Sequence, residues 1–135
     1  MQKSGFGVKA VIMKKGKFLV LRKPNGELDL PGGRVEDDEK YRGSLHREIT
    51  EETGLKVKIL YPVARWSFVK TPELLVTGFT YYCQYLSGKI ELSHEHCDYF
   101  WGDLEETVPF FRYGYFGQNN ASQLIEERRA SYGRV

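Results

Sequence analysis

At 135 residues, with 41% hydrophobic and 28% charged residues, the chain has the length and composition of one ordinary globular domain, expected to span residues 1–135. Its formal charge of +2 is too balanced to indicate a nucleic-acid or membrane surface, and no apolar run approaches the roughly 20 residues that span a bilayer. Two cysteines outside any zinc-binding spacing, and no signal-peptide pattern, favour reduced thiols in a cytoplasmic protein.

The first third of the chain predicts a β-hairpin followed by a structured loop. Apolar residues at positions 8–13 and 18–21 flank a turn near Gly16, as in a hairpin. The stretch PNGELDLPGGRVEDDE, residues 24–39, is rich in glycine, proline, asparagine and aspartate, which favour turns over regular structure. We therefore expect a sheet to begin before residue 24 and a loop to follow it.

A helix is predicted over residues 40–53. Tyr41, Leu45 and Ile49 recur every four positions, which is the spacing of a helix with one buried face. Gly54 follows at the position of a C-terminal cap. This helix interrupts the predicted strands.

The rest of the chain predicts three strands and a final helix. Residues 56–69, 74–85 and 98–104 are rich in β-branched and aromatic side chains with turn residues between them. Asn119 or Asn120 is suited to cap a terminal helix. This order of elements favours an α+β fold over alternating βα units.

Three glutamates, Glu48, Glu51 and Glu52, crowd the end of the first predicted helix. Residues three and four positions apart share a helix face, so we expect the three carboxylates to converge beside the buried face. Like charges repel there, and a hard divalent cation such as Mg²⁺ would satisfy them with oxygen ligands. A solvated acidic face paired with Arg47 is the alternative interpretation.

The wider stretch GRVEDDEKYRGSLHREITEETGL, residues 33–55, resembles the Nudix box, a pattern of specified residues at fixed spacing. The specified positions all match, at Gly33, Glu39, Arg47, Glu48, Ile49, Glu51, Glu52, Gly54 and Leu55. The flanking LPGG and EHCDYFWGDLEE also look like the family's sequences on either side of the box. The resemblance implies the Nudix fold, a mixed β-sheet sandwiched between α-helices in an α/β/α arrangement, with the box as a loop, a helix and a loop.

Nudix proteins generally hydrolyse a diphosphate linkage in a nucleoside diphosphate derivative with Mg²⁺ or Mn²⁺. By this resemblance, Glu48 and Glu52 are the first candidates for metal ligands. Glu51 is expected to share a metal directly or through water. The backbone carbonyl of Gly32 is a further candidate, because glycine lets the backbone approach an ion closely.

The general base is left open between Glu48 and Glu95. Some family members use the first glutamate of the Arg-Glu pair, and others use a glutamate far downstream. His94 and His96 flank Glu95 without any cysteine or histidine at a zinc-site spacing. We interpret both histidines as surface residues or as supports of the metal ligands.

Arg47, also counted among the catalytic candidates, is expected to hold the ligands in place. Its planar fork is suited to bidentate pairing with Glu39 or another box carboxylate. The chain departs from common family members at Gly43 and Ser44, where alanines often pack the helix against the sheet. A glycine inside a helix costs roughly 1 kcal/mol relative to alanine, so local stability is in question there.

Substrate selection depends on residues outside the box. Trp66 and Phe68 are candidates for stacking on a base, although most aromatic residues of a small sheet protein belong to its core. The aromatic stretch FFRYGYFGQNN, residues 110–120, adds Arg112 for a phosphate, and Asn119 as a further substrate-binding candidate. The compact length resembles MutT-like enzymes that convert a nucleoside triphosphate to a monophosphate and pyrophosphate, with nucleotide sugars and ADP-ribose as alternative substrates.

Two other classes of protein stay open at this point. Some Nudix domains bind nucleotides as regulatory modules without turnover, although their box glutamates are commonly eroded and those of this chain are intact. An acidic Ca²⁺-binding protein is a weaker alternative, because the chain lacks the spacing of an EF-hand. The expected partner is a small nucleotide or nucleoside diphosphate derivative, without nucleic acid or membrane. The resemblance also leaves a homodimer open, because family members are often dimers.

Overall fold

The computed structural model describes residues 3–117, which form a seven-stranded mixed sheet and two helices. The strands are β1 (Lys3–Lys14), β2 (Lys17–Arg22), β3 (Leu28–Asp29), β4 (Gly32–Arg34), β5 (Lys56–Thr71), β6 (Leu74–Ser87) and β7 (Asp98–Gly102). The helices are α1 (Tyr41–Thr53) and the short α2 (Leu104–Thr107), which continues into a 3₁₀ turn, Val108–Phe110. Within this part of the chain, neither helix has the length and apolar character needed to cross a membrane.

The centre of the sheet is a parallel pair of long strands. Strand β1 aligns with β6 from Lys3 opposite Leu74 to Met13 opposite Gln84. Its other neighbours, β2 and β4, are antiparallel to it, and β5 pairs antiparallel with β6. The predicted hairpin, the three later strands and the α+β class are therefore confirmed, in a sheet that mixes both strand directions.

Helix α1 covers one face of the sheet and begins one residue later than predicted. Its buried Leu45 and Ile49 pack with Val8 and Ile12 of β1. It ends at Gly54, whose φ of 73° is left-handed and whose N–H donates to the carbonyl of Thr50. The predicted cap is thus present, because glycine adopts this conformation without steric cost.

The second face of the sheet is covered, within the described residues, by the segment that begins at α2. Tyr115 and Phe116 pack there against Val11, Met13 and Phe18. The predicted terminal helix, with its candidate caps Asn119 and Asn120, lies outside the described residues, and so does the substrate-binding prediction for Asn119.

Candidate active site

Three segments distant in sequence meet at the end of α1. The side-chain oxygen Oε1 of Glu52 accepts a hydrogen bond from the backbone N–H of Gly32 on β4 at 3.4 Å. The N–H of Ser93 donates to the backbone carbonyl of Glu52 at 3.2 Å, which ties the loop before β7 to the helix. This loop brings Glu95 and His96 in, so that one ligand atom each of Glu52, Glu95 and His96 lies within 4.8 Å of the others.

Glu52 is a buried carboxylate with an unsatisfied oxygen. Its side chain is 3% exposed, and Oε2 has no hydrogen-bond partner among the described residues. Burial, the largest effect, raises the pKa of Glu52 to about 9. The charge of Lys9 lowers this pKa, and the nearby carboxylates of Asp29, Glu48 and Glu95 raise it further. A buried oxygen without a partner is costly, and a bound cation would relieve that cost.

Arg47 fixes the carboxylates beside this cluster. Its Nε and Nη2 donate to the two oxygens of Glu39 at 2.6 and 2.9 Å, a bidentate pair. Its Nη1 lies 3.1 Å from Glu48 and 3.2 Å from Glu51. The hydrogen bond from Arg47 lowers the pKa of Glu39 to about 2. Glu39 and Arg47 are therefore both charged near neutral pH, and together they orient Glu48 in the arrangement that the sequence favoured.

A cavity of about 390 Å³ opens in front of these carboxylates. Glu48 and Glu95 lie on one side of it. Aromatic rings form another part of the wall, contributed by Trp66, Phe68, Tyr113 and Tyr115. Basic side chains are also present, contributed by Lys9, Lys23, Arg34 and Lys70. The cavity thus combines acidic, basic and aromatic groups, which is what a metal-bound nucleotide requires.

Comparison with known proteins agrees with this geometry. The model of the NUDIX domain matches residues 1–120. The chain belongs to the NUDIX domain family. Its structure is similar to that of the MutT protein from Methanosarcina mazei Go1, with a TM-score of 0.79, 28% identity, and coverage of 95% of this chain and 96% of the other. The Nudix fold implied by residues 33–55 is confirmed.

Two curated relatives are hydrolases of nucleotides or their derivatives. The chain is 27% identical to the CTP pyrophosphohydrolase of Escherichia coli K12 over 113 residues, which cover 76% of this chain and 78% of that protein. It is 37% identical to the NAD-capped RNA hydrolase NudC of Mannheimia succiniciproducens over 82 residues. That match covers 58% of this chain, and it spans only 29% of the length of NudC.

Glu51 of the Nudix box meets Glu48 at Arg47 Nη1 but does not join Glu52. Its side chain is 59% exposed, pairs with Arg47, and lies outside both the cavity wall and the carboxylate–histidine cluster. At about 100° per residue, Glu48 and Glu52 are about 40° apart on the helix, whereas Glu51 is about 100° from Glu52. The expectation that all three carboxylates converge was wrong in this respect, and the geometry gives Glu51 no support as a direct ligand.

The predicted substrate residues fall into two groups. Trp66 and Phe68 line the cavity with stacked rings 5.7 Å apart. Trp66 is also core, because it is 8% exposed and its Nε1–H donates to Thr80 at 3.0 Å. Arg112 lies elsewhere, exposed and paired with Glu27 at 2.7 Å, and the cavity wall does not include it. The predicted contact between Arg112 and a phosphate is therefore not supported by its position.

Sequence reasoning missed a buried polar network that reaches the wall of the cavity through Lys9 and Asp29. Lys9 Nζ donates to Asp29 Oδ1 at 3.0 Å and to the carbonyl of Leu30 at 3.1 Å, and His96 Nε2 lies 2.8 Å from Asp29 Oδ2. Burial alone would raise the pKa of Asp29, but Lys9 and His96 hold it well below its usual range. His96 is buried and His94 is exposed, so the surface interpretation fits only His94. The signal available was Lys9 itself, a lysine inside the apolar run GVKAVIM.

The absence of a side chain at Gly33 leaves space for the Glu48 carboxylate, whereas no neighbouring group of the described chain occupies the corresponding space at Gly43. A side chain at Gly33 would place its first carbon 2.6 Å from the Glu48 carboxylate. A side chain at Gly43 would enter open space, while the neighbouring Ser44 is fully buried against the sheet. The departure from alanine at Gly43 therefore affects only the stability of the helix.

Proposed function

We propose that this Nudix domain is a metal-dependent pyrophosphohydrolase that converts a nucleoside triphosphate to a monophosphate and pyrophosphate. The observation that carries the proposal is the cavity that joins Glu48 and Glu95 to aromatic rings and basic side chains. Such a cavity accommodates a base, phosphates and metal-bound oxygens together. The similarity to the CTP pyrophosphohydrolase of E. coli supports the choice of a triphosphate.

The residues present fit a Mg²⁺ or Mn²⁺ ion. Glu52 and Glu95 offer carboxylate oxygens, Glu48 lies at the same end of α1, and Gly32 offers a backbone carbonyl beside them. The buried Oε2 of Glu52, which has no hydrogen-bond partner among the described residues, supports the proposal because a cation would stabilise it there. When bound, such an ion neutralises charge on the phosphates and lowers the pKa of a bound water.

The chain's own groups would perform the remaining tasks. Glu48 faces the cavity and is held by Arg47 at 3.1 Å, so it is placed to accept a proton from the attacking water, with Glu95 as the alternative base. Lys23 and Lys70 would bind phosphate oxygens. The fixed positions of these groups lower the entropic cost of an in-line attack on phosphorus.

The base would bind against the aromatic wall. Phe68 is half-buried, and its ring centroid is 4.7 Å from that of Tyr113 and 5.7 Å from that of Trp66. This cluster presents rings to the cavity without a unique hydrogen-bonding pattern. We therefore expect stacking to supply affinity for several bases.

The test is release of phosphate and pyrophosphate with Mg²⁺ or Mn²⁺ across a substrate panel. The panel contains nucleoside triphosphates, oxidised nucleotides, nucleotide sugars, ADP-ribose, dinucleotides and an NAD-capped RNA. Glu52→Gln should reduce turnover by orders of magnitude, while Glu51→Gln, its matched control on the same helix, should retain most of it. Turnover that survives Glu52→Gln would contradict the metal assignment, and no turnover of any substrate by folded protein would favour a nucleotide-binding module.

A further inference from the structure

The imidazole of His96 has one nitrogen bonded and one nitrogen free in a dry environment. Its side chain is 2% exposed, Nε2 lies 2.8 Å from Asp29 Oδ2, and Nδ1 has no hydrogen-bond partner among residues 3–117. Asp29 also accepts from Lys9, so it is a charged acceptor. Nε2 is therefore the nitrogen that donates to Asp29, and in the neutral imidazole Nδ1 is the nitrogen with a lone pair to offer a ligand.

Nδ1 of His96 lies near the unsatisfied oxygen of Glu52. His96 Nδ1 and Glu52 Oε2 are 3.9 Å apart, which is beyond hydrogen-bond range. Two ligands on opposite sides of one metal ion, at about 2.1 Å each, stand about 4.2 Å apart, so a separation of 3.9 Å is within reach of a single ion. Glu95 belongs to the same cluster, because one ligand atom each of Glu52, Glu95 and His96 lies within 4.8 Å of the others, and Glu95 also lines the cavity.

We propose that Nδ1 of His96 is a direct ligand of the metal ion held by Glu52 and Glu95, with Asp29 orienting the ring. This inference rests on the proposed function for the presence of the ion. It adds a nitrogen ligand to a metal site whose other protein ligands are oxygens. Asp29, His96 and the ion would form a carboxylate–histidine–metal arrangement, in which the carboxylate fixes the ring tautomer and raises the basicity of the ligand.

A nitrogen ligand changes which metal the site prefers. Imidazole binds first-row transition metals, Mn²⁺ the most weakly among them, better than it binds Mg²⁺, which prefers oxygen ligands and octahedral geometry. The site should therefore favour Mn²⁺ over Mg²⁺, and the preference should fall when His96 is replaced. We expect His96→Gln to weaken Mn²⁺ binding at least about tenfold and Mg²⁺ binding by a smaller factor.

Pulsed electron paramagnetic resonance of protein loaded with Mn²⁺ alone tests the ligand directly. A coordinated imidazole produces nitrogen couplings that change when the protein is made with ¹⁵N-labelled histidine. The chain has three histidines, and His46 and His94 are exposed. The couplings should be absent from His96→Gln and present in its control, His94→Gln.

The double variant His46→Gln with His94→Gln leaves His96 as the sole histidine. It tests whether His96 coordinates Mn²⁺ even if His96→Gln does not fold. Histidine couplings that persist in it support the proposal, and couplings that disappear from it overturn the assignment to His96. Bound Mn²⁺ without histidine coupling in the wild type would overturn this inference and leave the proposed function standing. Failure of folded wild-type protein to bind Mn²⁺ at all would overturn both.

Discussion

Replacement of Glu52 by glutamine should stabilise the metal-free protein. The pKa of Glu52 is raised from its ordinary 4.5 to about 9, chiefly by burial. Between those two values the folded state holds a proton that the unfolded state releases, so the free energy of unfolding falls as the pH rises. From pH 4.5 to pH 7 the loss at ~1.4 kcal/mol per pH unit is about 3 kcal/mol. Glutamine keeps an oxygen to accept from Gly32 and carries no titrating proton.

The assay is urea unfolding in the presence of EDTA at several pH values. The wild type should lose stability between pH 5 and pH 8.5, and Glu52→Gln should lose much less and be the more stable protein at pH 7. Glu51→Gln serves as the control, because Glu51 is 59% exposed and should leave this pH dependence unchanged.

Addition of Mn²⁺ should reverse the order of stability. An ion that binds only the folded state at 1,000 times its dissociation constant stabilises by about 4.1 kcal/mol, which exceeds the loss of about 3 kcal/mol at pH 7, and Glu52→Gln should lose most of this response. If Glu52→Gln is less stable than the wild type in EDTA at every pH, the claim that burial of the Glu52 carboxyl group destabilises the metal-free protein is refuted. If both proteins respond equally to Mn²⁺, Glu52 is not a ligand.

Three further substitutions test other parts of the site. Phe68→Ala should raise KM about tenfold with kcat little changed, because a stacking surface is lost. Phe110→Ala is the control and should leave KM unchanged, because Phe110 is exposed and lies outside that cavity wall. Equal effects of the two substitutions on KM would contradict stacking. Arg47→Lys should lower kcat about tenfold in steady-state assays, because lysine cannot form the bidentate pair with Glu39. Arg42→Lys on the same helix is the control, and an equal loss of kcat in that variant would argue for a general effect on folding. Gly43→Ala should raise the free energy of unfolding by about 1 kcal/mol in urea with unchanged activity, and destabilisation would show that the position is not open.

The parts of the fold set by local patterns could be predicted from the sequence. The recurrence of Tyr41, Leu45 and Ile49 placed α1 to within one residue, and Gly54 marked its end. Strands β1, β2, β5, β6 and β7 were predictable because β-branched and aromatic runs alternate with turn residues, whereas the short β3 and β4 lie in residues 24–39, where a loop was predicted. The hairpin of β1 and β2 was also predictable, but the parallel alignment of β1 with β6 was not, because it has no local signature.

The candidate site was predictable only where spacing on one element determines geometry. Glu48 and Glu52, four residues apart, share a face, whereas Glu51 is next to Glu52 in sequence and points about 100° away from it. The network of Lys9, Asp29 and His96 joins residues 20 and 67 positions apart, so no window of sequence contains it. It becomes visible only when β1, β3 and the loop before β7 are placed together.

The parallel pairing of β1 with β6 also has a consequence for how the chain folds. The paired residues are about 70 positions apart in the chain, so the contact between the two strands closes a long loop. Closing that loop is slow and costs conformational entropy. Helix α1 packs on β1, and the loop carrying Glu95 and His96 follows β6 in the chain. The site therefore takes shape only after the central strands have joined, and a metal ion would stabilise the finished protein without guiding its early folding.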